Sequence, residues 1–451
     1  MFVKKNLFEK YDIPVPRYTS YPTVPYWSDS PTVDQWLKEL SDAAAQPNMS
    51  WSMYLHLPFC ETLCTFCGCN TVITKDHDRE VPYVKSIQQE FQLYQERVPE
   101  LFQRPLRQIH LGGGTPTFLS AANLERLMDP IMDAVRVDEE HFDGSIEVDP
   151  RRTTLDQLKA LQKYGFSRVS MGVQDFDPEV QRLVNRVQPY EITESLTKGS
   201  RELGYTSVNF DLIYGLPKQT LESMKKTAEL TIELRPDRIA LYSFALVPWI
   251  KPAQRLFKDE DLPRGAAKRE LYELCRELLT QAGYVEIGMD HFALSTDALA
   301  MASRSGKLHR NFMGYTEMRT DVLLGLGVSA ISEAPTCFHQ NEKVLPVYEK
   351  ALQENKLPSF RGHLLSLEDR KYRELILKLI TSYSVELETE QDKQDAQTFL
   401  ESLVHDGLVK IIGNRLSLTE QGKPFLRNVC VVFDKRLRSK QPNTKVFSQS
   451  L

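Results

Sequence analysis

No long apolar run occurs in this chain of 451 residues. Its least polar stretches, Ile239–Ile250 and Leu323–Ile331, fall well short of the roughly 18 to 20 residues that a membrane helix needs. The N-terminus, Met1–Pro16, carries Lys4, Lys5, Glu9, Lys10 and Asp12 and has no apolar core of the kind a secretory signal uses. An excess of positive charge is also missing. The 56 Lys and Arg face 61 Asp and Glu, a formal charge of −5, whereas nucleic-acid readers usually show a basic face and a pI above about 9. Seven cysteines without a signal segment speak against a disulfide scaffold. There is no internal repeat and no low-complexity tract. These absences predict a cytoplasmic protein with reduced thiols, no membrane insertion and no nucleic-acid partner. A local basic pocket for an acidic small molecule stays open, because net charge averages over the whole surface.

Hydrophobic residues at 41% and charged residues at 26% belong to a globular chain long enough for two or three domains. Between about residues 50 and 250, short runs rich in Val, Ile, Leu and Tyr alternate with amphipathic stretches. The pattern predicts strands at Ser52–Leu57, Gln108–Leu111, Ser145–Val148, Arg168–Val173, Val208–Tyr214 and Arg238–Phe244. Helices are predicted near Glu80–Arg97, Ala121–Val135, Leu155–Tyr164, Tyr190–Leu203 and Leu221–Leu234. Six such units give an α/β fold with a parallel sheet, either a (β/α)6 partial barrel or a doubly wound sheet. Either architecture binds ligands at the carboxyl ends of its strands.

After Pro252 the alternation reads as ended. Residues 253–451 are expected to form a mainly helical domain, with helices at Leu271–Ala282, Arg370–Ile380 and Gln394–His405. A hairpin around Gly413-Asn414 then makes a winged-helix-like arrangement, read as a lid or interaction module. Residues 1–49 form a separate N-terminal segment, and the polar tail Arg436–Leu451 is expected to fray.

Four of the seven cysteines fall within ten residues, at Cys60, Cys64, Cys67 and Cys69. Three thiolates spaced CxxxCxxC on one loop can wrap three irons of a cubane and leave the fourth without a protein ligand. The competing reading is a structural zinc site using all four, although such sites usually pair two separated knuckles. Cys275, Cys337 and Cys430 are isolated and read as small core residues. Further motifs sit at predicted strand ends. Gly112-Gly113-Gly114 lacks the Gly-Lys-Ser/Thr of a phosphate loop and suits close backbone approach to a cofactor. Glu147 and Asp149 suit a ribose diol or a helix cap. Asp211, amid an apolar strand, must be paired or functional, since burying a lone carboxylate is costly.

CxxxCxxC after the first strand of a six-unit β/α domain resembles the radical S-adenosylmethionine superfamily. Further blocks narrow the resemblance to the oxygen-independent coproporphyrinogen III oxidase family: Pro16-Arg17-Tyr18-Thr19-Ser20-Tyr21-Pro22-Thr23, Cys67-Gly68-Cys69-Asn70, Val169-Ser170-Met171-Gly172-Val173-Gln174-Asp175-Phe176, Asp211-Leu212-Ile213-Tyr214-Gly215-Leu216-Pro217, Gly288-Met289-Asp290-His291-Phe292 and His309-Arg310-Asn311-Phe312. This resemblance implies the (β/α)6 partial barrel, a [4Fe-4S] cluster on Cys60, Cys64 and Cys67, and two molecules of S-adenosylmethionine. Tyr54, Gly113 and Glu147 match positions at the first molecule. Phe66, Gly114, Thr115, Gln174, Arg186, Asp211, Ala245 and Ile331 match positions at the second. The implied substrate is coproporphyrinogen III, with an electron donor and an acceptor that the sequence does not name; a monomer is expected.

Four propionates on that substrate call for local cations, and Arg17, Lys251, Arg255 and Arg310 are the candidates. Residues 1–49 would close over the active site. Cys69 is read as a non-ligand, and no role is assigned to His291 or His309. The chain departs from the family pattern at Phe244 and Leu246, where tyrosine and histidine are more common. Alternative readings are a related haem chaperone or a haem-modifying enzyme, both disfavoured by the Arg17–Thr23 block and by Cys69.

Overall fold

The computed structural model describes residues 5–439 and 447–449. Six parallel strands form its centre: β1 (Trp51–Leu57), β2 (Pro105–Gly113), β3 (Asp143–Val148), β4 (Phe166–Gln174), β5 (Ser207–Tyr214) and β6 (Arg238–Ser243). They lie side by side in chain order. A doubly wound sheet reverses its order at a switch point, so an unreversed order selects the partial barrel. All six predicted strands are present, and the helices Glu80–Arg97 and Leu221–Leu234 end where the periodicity predicts. Local chemistry sets the helix starts. Thr154 and Thr220 each accept a hydrogen bond from the third residue of the helix that follows, a reciprocal capping box in both cases.

Apart from register shifts near Trp51, Gly144 and Gly172, the strands alternate with a period of two. Met53, Leu55, Ile109, Leu111, Ile146, Val169, Met171, Phe210 and Ile239 are buried in one continuous core under the helices. Their neighbours face the barrel lumen and share a face by register: Tyr54 opposite His110, His110 opposite Ser145, Ser145 opposite Arg168, and Arg168 opposite Ser207. The lumen is therefore polar from end to end, unlike the layered aliphatic filling of a closed (β/α)8 barrel.

Where the sequence reading ends the alternation at Pro252, the sheet continues. On the β6 edge, β7 (Tyr284–Ile287) and β8 (His291–Leu294) add antiparallel. On the other edge, β9 (Val322–Leu326) pairs parallel with β1, followed by antiparallel β10 (Ile331–Ala334), β11 (Cys337–Asn341) and β12 (Ser359–Leu364). Residues 253–451 thus add these strands to the sheet beside their helices, which include Gly265–Gln281, Leu345–Gln353 and Leu367–Ser382. Short edge strands such as Ile331-Ser332-Glu333-Ala334 alternate residue by residue, so a search for continuous apolar runs passes over them. The helix-then-hairpin arrangement is present: the helices Leu367–Ser382 and Glu390–Phe399 flank the strand Ser384–Glu386, which pairs with the later hairpin of Val409–Ile412 and Arg415–Leu418. Gly413, at φ +59°, makes its turn.

A second core joins the two ends of the chain. Leu7, Phe8, Tyr11, Tyr18 and Tyr21 pack with Leu375, Ile376, Phe425 and Val429. Arg427 fastens the same segment, its Nε donating to the Pro16 carbonyl at 3.0 Å. The expected fraying of the tail falls partly outside the described residues. Within them, Lys435–Ser439 is helical and Gln449 bridges to Pro14.

Candidate active site

The carboxyl ends of β1 to β6 open into a cavity of about 760 Å³. The cysteine loop forms one wall. Its root is a two-residue strand, Phe59–Cys60, paired with Val72–Ile73. Phe59 is buried against Tyr83 and Phe118, with ring centres 5.2 and 5.1 Å away. Outside groups tie down the rest of the loop: the Thr65 N–H donates to the Val184 carbonyl at 3.1 Å, Asn185 donates to the Leu63 carbonyl at 2.7 Å, and Lys251 donates to the Cys69 carbonyl at 2.7 Å. Cys60, Cys64, Cys67 and Cys69 all line the cavity.

The glycine turn serves the loop before it serves any ligand. The Gly114 N–H donates to the Leu57 carbonyl and the Thr115 N–H to the Phe59 carbonyl, both at 2.8 Å. A Cβ on Gly114 would sit 2.5 Å from the Pro58 oxygen, and one on Gly113 (φ +115°) 2.7 Å from the His56 ring. Only glycine lets β2 come this close to the cysteine loop. Its other partner is Glu147, whose Oε2 accepts the Gly113 N–H at 3.2 Å. Burial alone would raise the Glu147 carboxyl, but His110 at 3.4 Å and this N–H hold it below the ordinary range. Asp211 differs. Burial, with Glu147 nearby, pushes it up to about 6 despite hydrogen bonds from Ser170 and Asn209.

A second polar group meets the sulfurs. Asp149 pairs with Arg151 at 2.7 Å and with Arg186 at 3.3 Å, and both guanidiniums reach Cys64 Sγ, at 3.7 and 3.5 Å. Thr115 Oγ1 lies 3.3 Å from Cys60 Sγ, and the Cys69 N–H donates to Cys67 Sγ at 3.4 Å. The Cys67 thiol is pulled down to about 6 by its hydrogen bond with Cys69, with Lys251 and Arg186 assisting; burial pushes Cys60 up to about 11.

This donor set fits the implied cofactors. Soft thiols of one loop share a wall, N–H and guanidinium donors face their sulfurs, and the buried Arg186 Nε has no hydrogen-bond partner among the described residues. Gln174 adds a strained backbone, φ +69°, at the cavity rim. Among the described residues, no three His, Cys, Asp or Glu side chains converge to hold a single metal ion, as a four-cysteine zinc site would require.

The sequence-derived residues divide cleanly. Phe66, Gly113, Gly114, Thr115, Glu147, Gln174, Arg186, Asp211, Ala245 and Arg17 line the cavity. Tyr54 lies behind it, its hydroxyl 3.0 Å from His56 Nδ1. Ile331 lies across the sheet against Trp27 and Phe338. Arg255 turns to the Pro248 carbonyl, and Arg310 is buried over the Tyr315 ring. His291 lines the cavity with Nδ1 2.7 Å from Asp290; His309 is buried elsewhere, and burial pushes its pKa down to about 4. Phe244 and Leu246 join an apolar cluster with Val180, Ile213 and Phe257. The sequence reading passed over Arg151, Tyr242 and Arg427, although the period-two pattern marks Tyr242 as a lumen residue.

Comparison with known proteins follows the same lines. Residues 54–231 match the radical SAM superfamily. Oxygen-independent coproporphyrinogen III oxidase of Escherichia coli strain K12 is 42% identical over 443 residues, covering 96% of this chain and 95% of that protein. The chain belongs to the oxygen-independent coproporphyrinogen III oxidase family. The Synechocystis protein of the same name is 37% identical over 461 residues, covering 99% of this chain and 97% of its own length. The solved Escherichia coli coproporphyrinogen III oxidase, described as a radical SAM enzyme, superimposes with a TM-score of 0.90 at 40% identity, over 97% of this chain and all of that one. Family membership brings the [4Fe-4S] cluster and S-adenosylmethionine as cofactors.

Proposed function

We propose that this chain decarboxylates two propionates of coproporphyrinogen III oxidatively to vinyls, without oxygen, giving protoporphyrinogen IX in haem synthesis. One observation carries this reading: the three cysteines, the glycine turn and the Glu147, Asp211 and Arg186 side chains open onto a single cavity. When bound, the cluster and S-adenosylmethionine would supply a 5′-deoxyadenosyl radical for hydrogen abstraction at a propionate β-carbon. Loss of CO2 from that propionate and of one electron to an external acceptor would complete the vinyl group.

The chain's own residues bind and orient. Cys60, Cys64 and Cys67 hold the cluster. Tyr54, Gly113 and Glu147 serve the first S-adenosylmethionine, where an ionised Glu147 offers acceptors to a ribose diol. Phe66, Gly114, Thr115, Gln174, Arg186, Asp211, Ala245 and Ile331 serve a second one; Asp211, disfavoured as a buried anion, is relieved by any cation brought beside it. Loss of CO2 requires an ionised propionate, and so a cationic hold. Arg17 is favoured among the four candidates, because it lines the cavity with its Nη2 fixed on the Ser243 carbonyl at 3.1 Å. Lys251 is engaged at Cys69, Arg255 at Pro248, and Arg310 lies behind Tyr315.

Residues 1–49 therefore act as the cover that brings Arg17 to the mouth. The chain works as a cytoplasmic monomer with a separate electron donor; no described helix is long and apolar enough to cross a membrane. Anaerobic reconstitution with iron, sulfide, S-adenosylmethionine and coproporphyrinogen III tests the proposal. Divinyl product is expected, and 5′-deoxyadenosine without it would move the reading to a haem chaperone or a haem-modifying relative.

A further inference from the structure

Cys64 differs from its two companions in what faces its sulfur. The groups hydrogen-bonded to Cys60 and Cys67 are neutral: a threonine hydroxyl, and the backbone amide and thiol of Cys69. Cys64 meets two guanidiniums, Arg186 Nη1 at 3.5 Å and Arg151 Nη2 at 3.7 Å. Arg186 is among the residues assigned to S-adenosylmethionine; Arg151 has no assigned part. It is nevertheless the more tightly fixed of the two. Asp149 Oδ1 accepts from both its backbone N–H and its Nε at 3.0 Å, and Asp149 Oδ2 accepts from its Nη2 at 2.7 Å. A two-pronged carboxylate clamp sets guanidinium direction in a way that one contact cannot. The clamp turns Nη2 toward the sulfur and retains only 14% of the side chain's exposure.

We infer that Arg151, oriented by Asp149, is a positioning residue that eases one-electron reduction of the cluster through the Cys64 sulfur. The step passes one electron to the cluster from the separate one-electron donor, which is oxidised, and moves no proton at Arg151. Reduction adds a negative charge that the ligand sulfurs share, and a fixed cation and N–H donor beside one sulfur favours the reduced form. Partial burial keeps that interaction from being screened away. Asp149 works in both directions: it orients Arg151 and offsets part of its charge. The inference rests on the cluster assignment made above.

Full-length chain, reconstituted anaerobically and titrated at one fixed poise without S-adenosylmethionine, gives the test by electron paramagnetic resonance. Arg151→Gln is expected to lower the ratio of reduced to oxidised cluster about tenfold, equivalent to about 59 mV for one electron. Arg151→Lys keeps the charge and should recover most of that loss. Asp149→Asn keeps the size and one acceptor but removes the offsetting charge, so the ratio should rise. An unchanged ratio in Arg151→Gln, or an unchanged or lowered ratio in Asp149→Asn, overturns the inference. If Arg151→Gln takes up no iron, Asp149→Asn decides by the same criterion. A wild-type chain that takes up no four-iron cluster would instead overturn the proposed function.

Discussion

The barrel lumen holds two polar layers, one at each end, and they are built to opposite rules. At the amino ends of the strands, Arg238 Nε meets both oxygens of Asp297 at 2.9 and 3.0 Å and Arg238 Nη2 meets Glu317 at 2.9 Å. Arg168 reaches Asp143 at 2.7 Å, and Gln108 donates to the same carboxylate at 3.0 Å. Each cation there has its anion. At the carboxyl ends, two acids share the lumen, and among the described residues Arg186 keeps an unpartnered Nε while Arg17 lies 4.0 Å from the Asp290 carboxylate. Burial alone does not separate scaffold from site, because Arg186 in the open layer is as buried as Arg238 in the closed one. Completeness of pairing does: the closed layer spends its polarity internally, and the open layer leaves it for ligands.

The largest break in this comparison comes from the open layer. Cys64→Ser should abolish iron–sulfur absorbance and 5′-deoxyadenosine formation together while thermal unfolding of the chain barely moves. Retained cleavage of S-adenosylmethionine would remove the loop from the chemistry. Arg238→Met should behave in reverse. It strands Asp297 and leaves Glu317 only Arg168 at 3.4 Å, a loss of about 3–5 kcal/mol, and denaturant titration of the cluster-free chain reads it. An unchanged midpoint would mean that the closed layer is not structural.

Much of this division was legible in the residues. The cysteine spacing, the glycine turn and the strand-end acids gave the open layer, because each motif interrupts an apolar run at a predicted strand end. The closed layer escaped notice. Arg168 and Arg238 sit at strand starts, where a charge reads as a boundary, and their partners Asp297 and Glu317 come from loops far along the chain. Ser52, Tyr54 and His56 on β1, or Ser207, Asn209 and Asp211 on β5, alternate with core residues and could have marked the lumen. The edge strands beyond Pro252 were hidden for a different reason: their pairing depends on contacts with β1 and β6 that local pattern does not encode.

Acidity sharpens the comparison next, since two buried glutamates shift in opposite directions. Burial would raise Glu317, but Arg238 and Arg168 hold it down at about 2. Its contribution to stability is full above the unfolded value near 4.5 and is lost as pH falls toward 2. Glu90 lies in the core, where burial pushes it up to about 7 against hydrogen bonds from the Gly327 N–H, Tyr348 and Asn341. The folded chain binds that proton more tightly, so its contribution is full below about 4.5 and is lost as pH rises through 7. Glu90→Gln, with no proton to lose, should flatten the decline between pH 5 and 8 by on the order of 3 kcal/mol. A decline as steep as in the parent chain would place the titration elsewhere.

The smallest expected effect tests the open layer most finely. What Cys69 gives the loop comes mainly from its backbone: its N–H donates to Cys67 Sγ at 3.4 Å and its carbonyl accepts from Lys251 at 2.7 Å. A serine keeps both groups, and its hydroxyl can replace the thiol in the hydrogen bond to Cys67. Cys69→Ser should therefore take up the same iron and sulfide per chain as the parent. Loss of the cluster in this variant would make Cys69 a fourth thiolate ligand. The cubane would then have no open iron for S-adenosylmethionine, and the carboxyl-end layer would be as completely paired as the amino-end one.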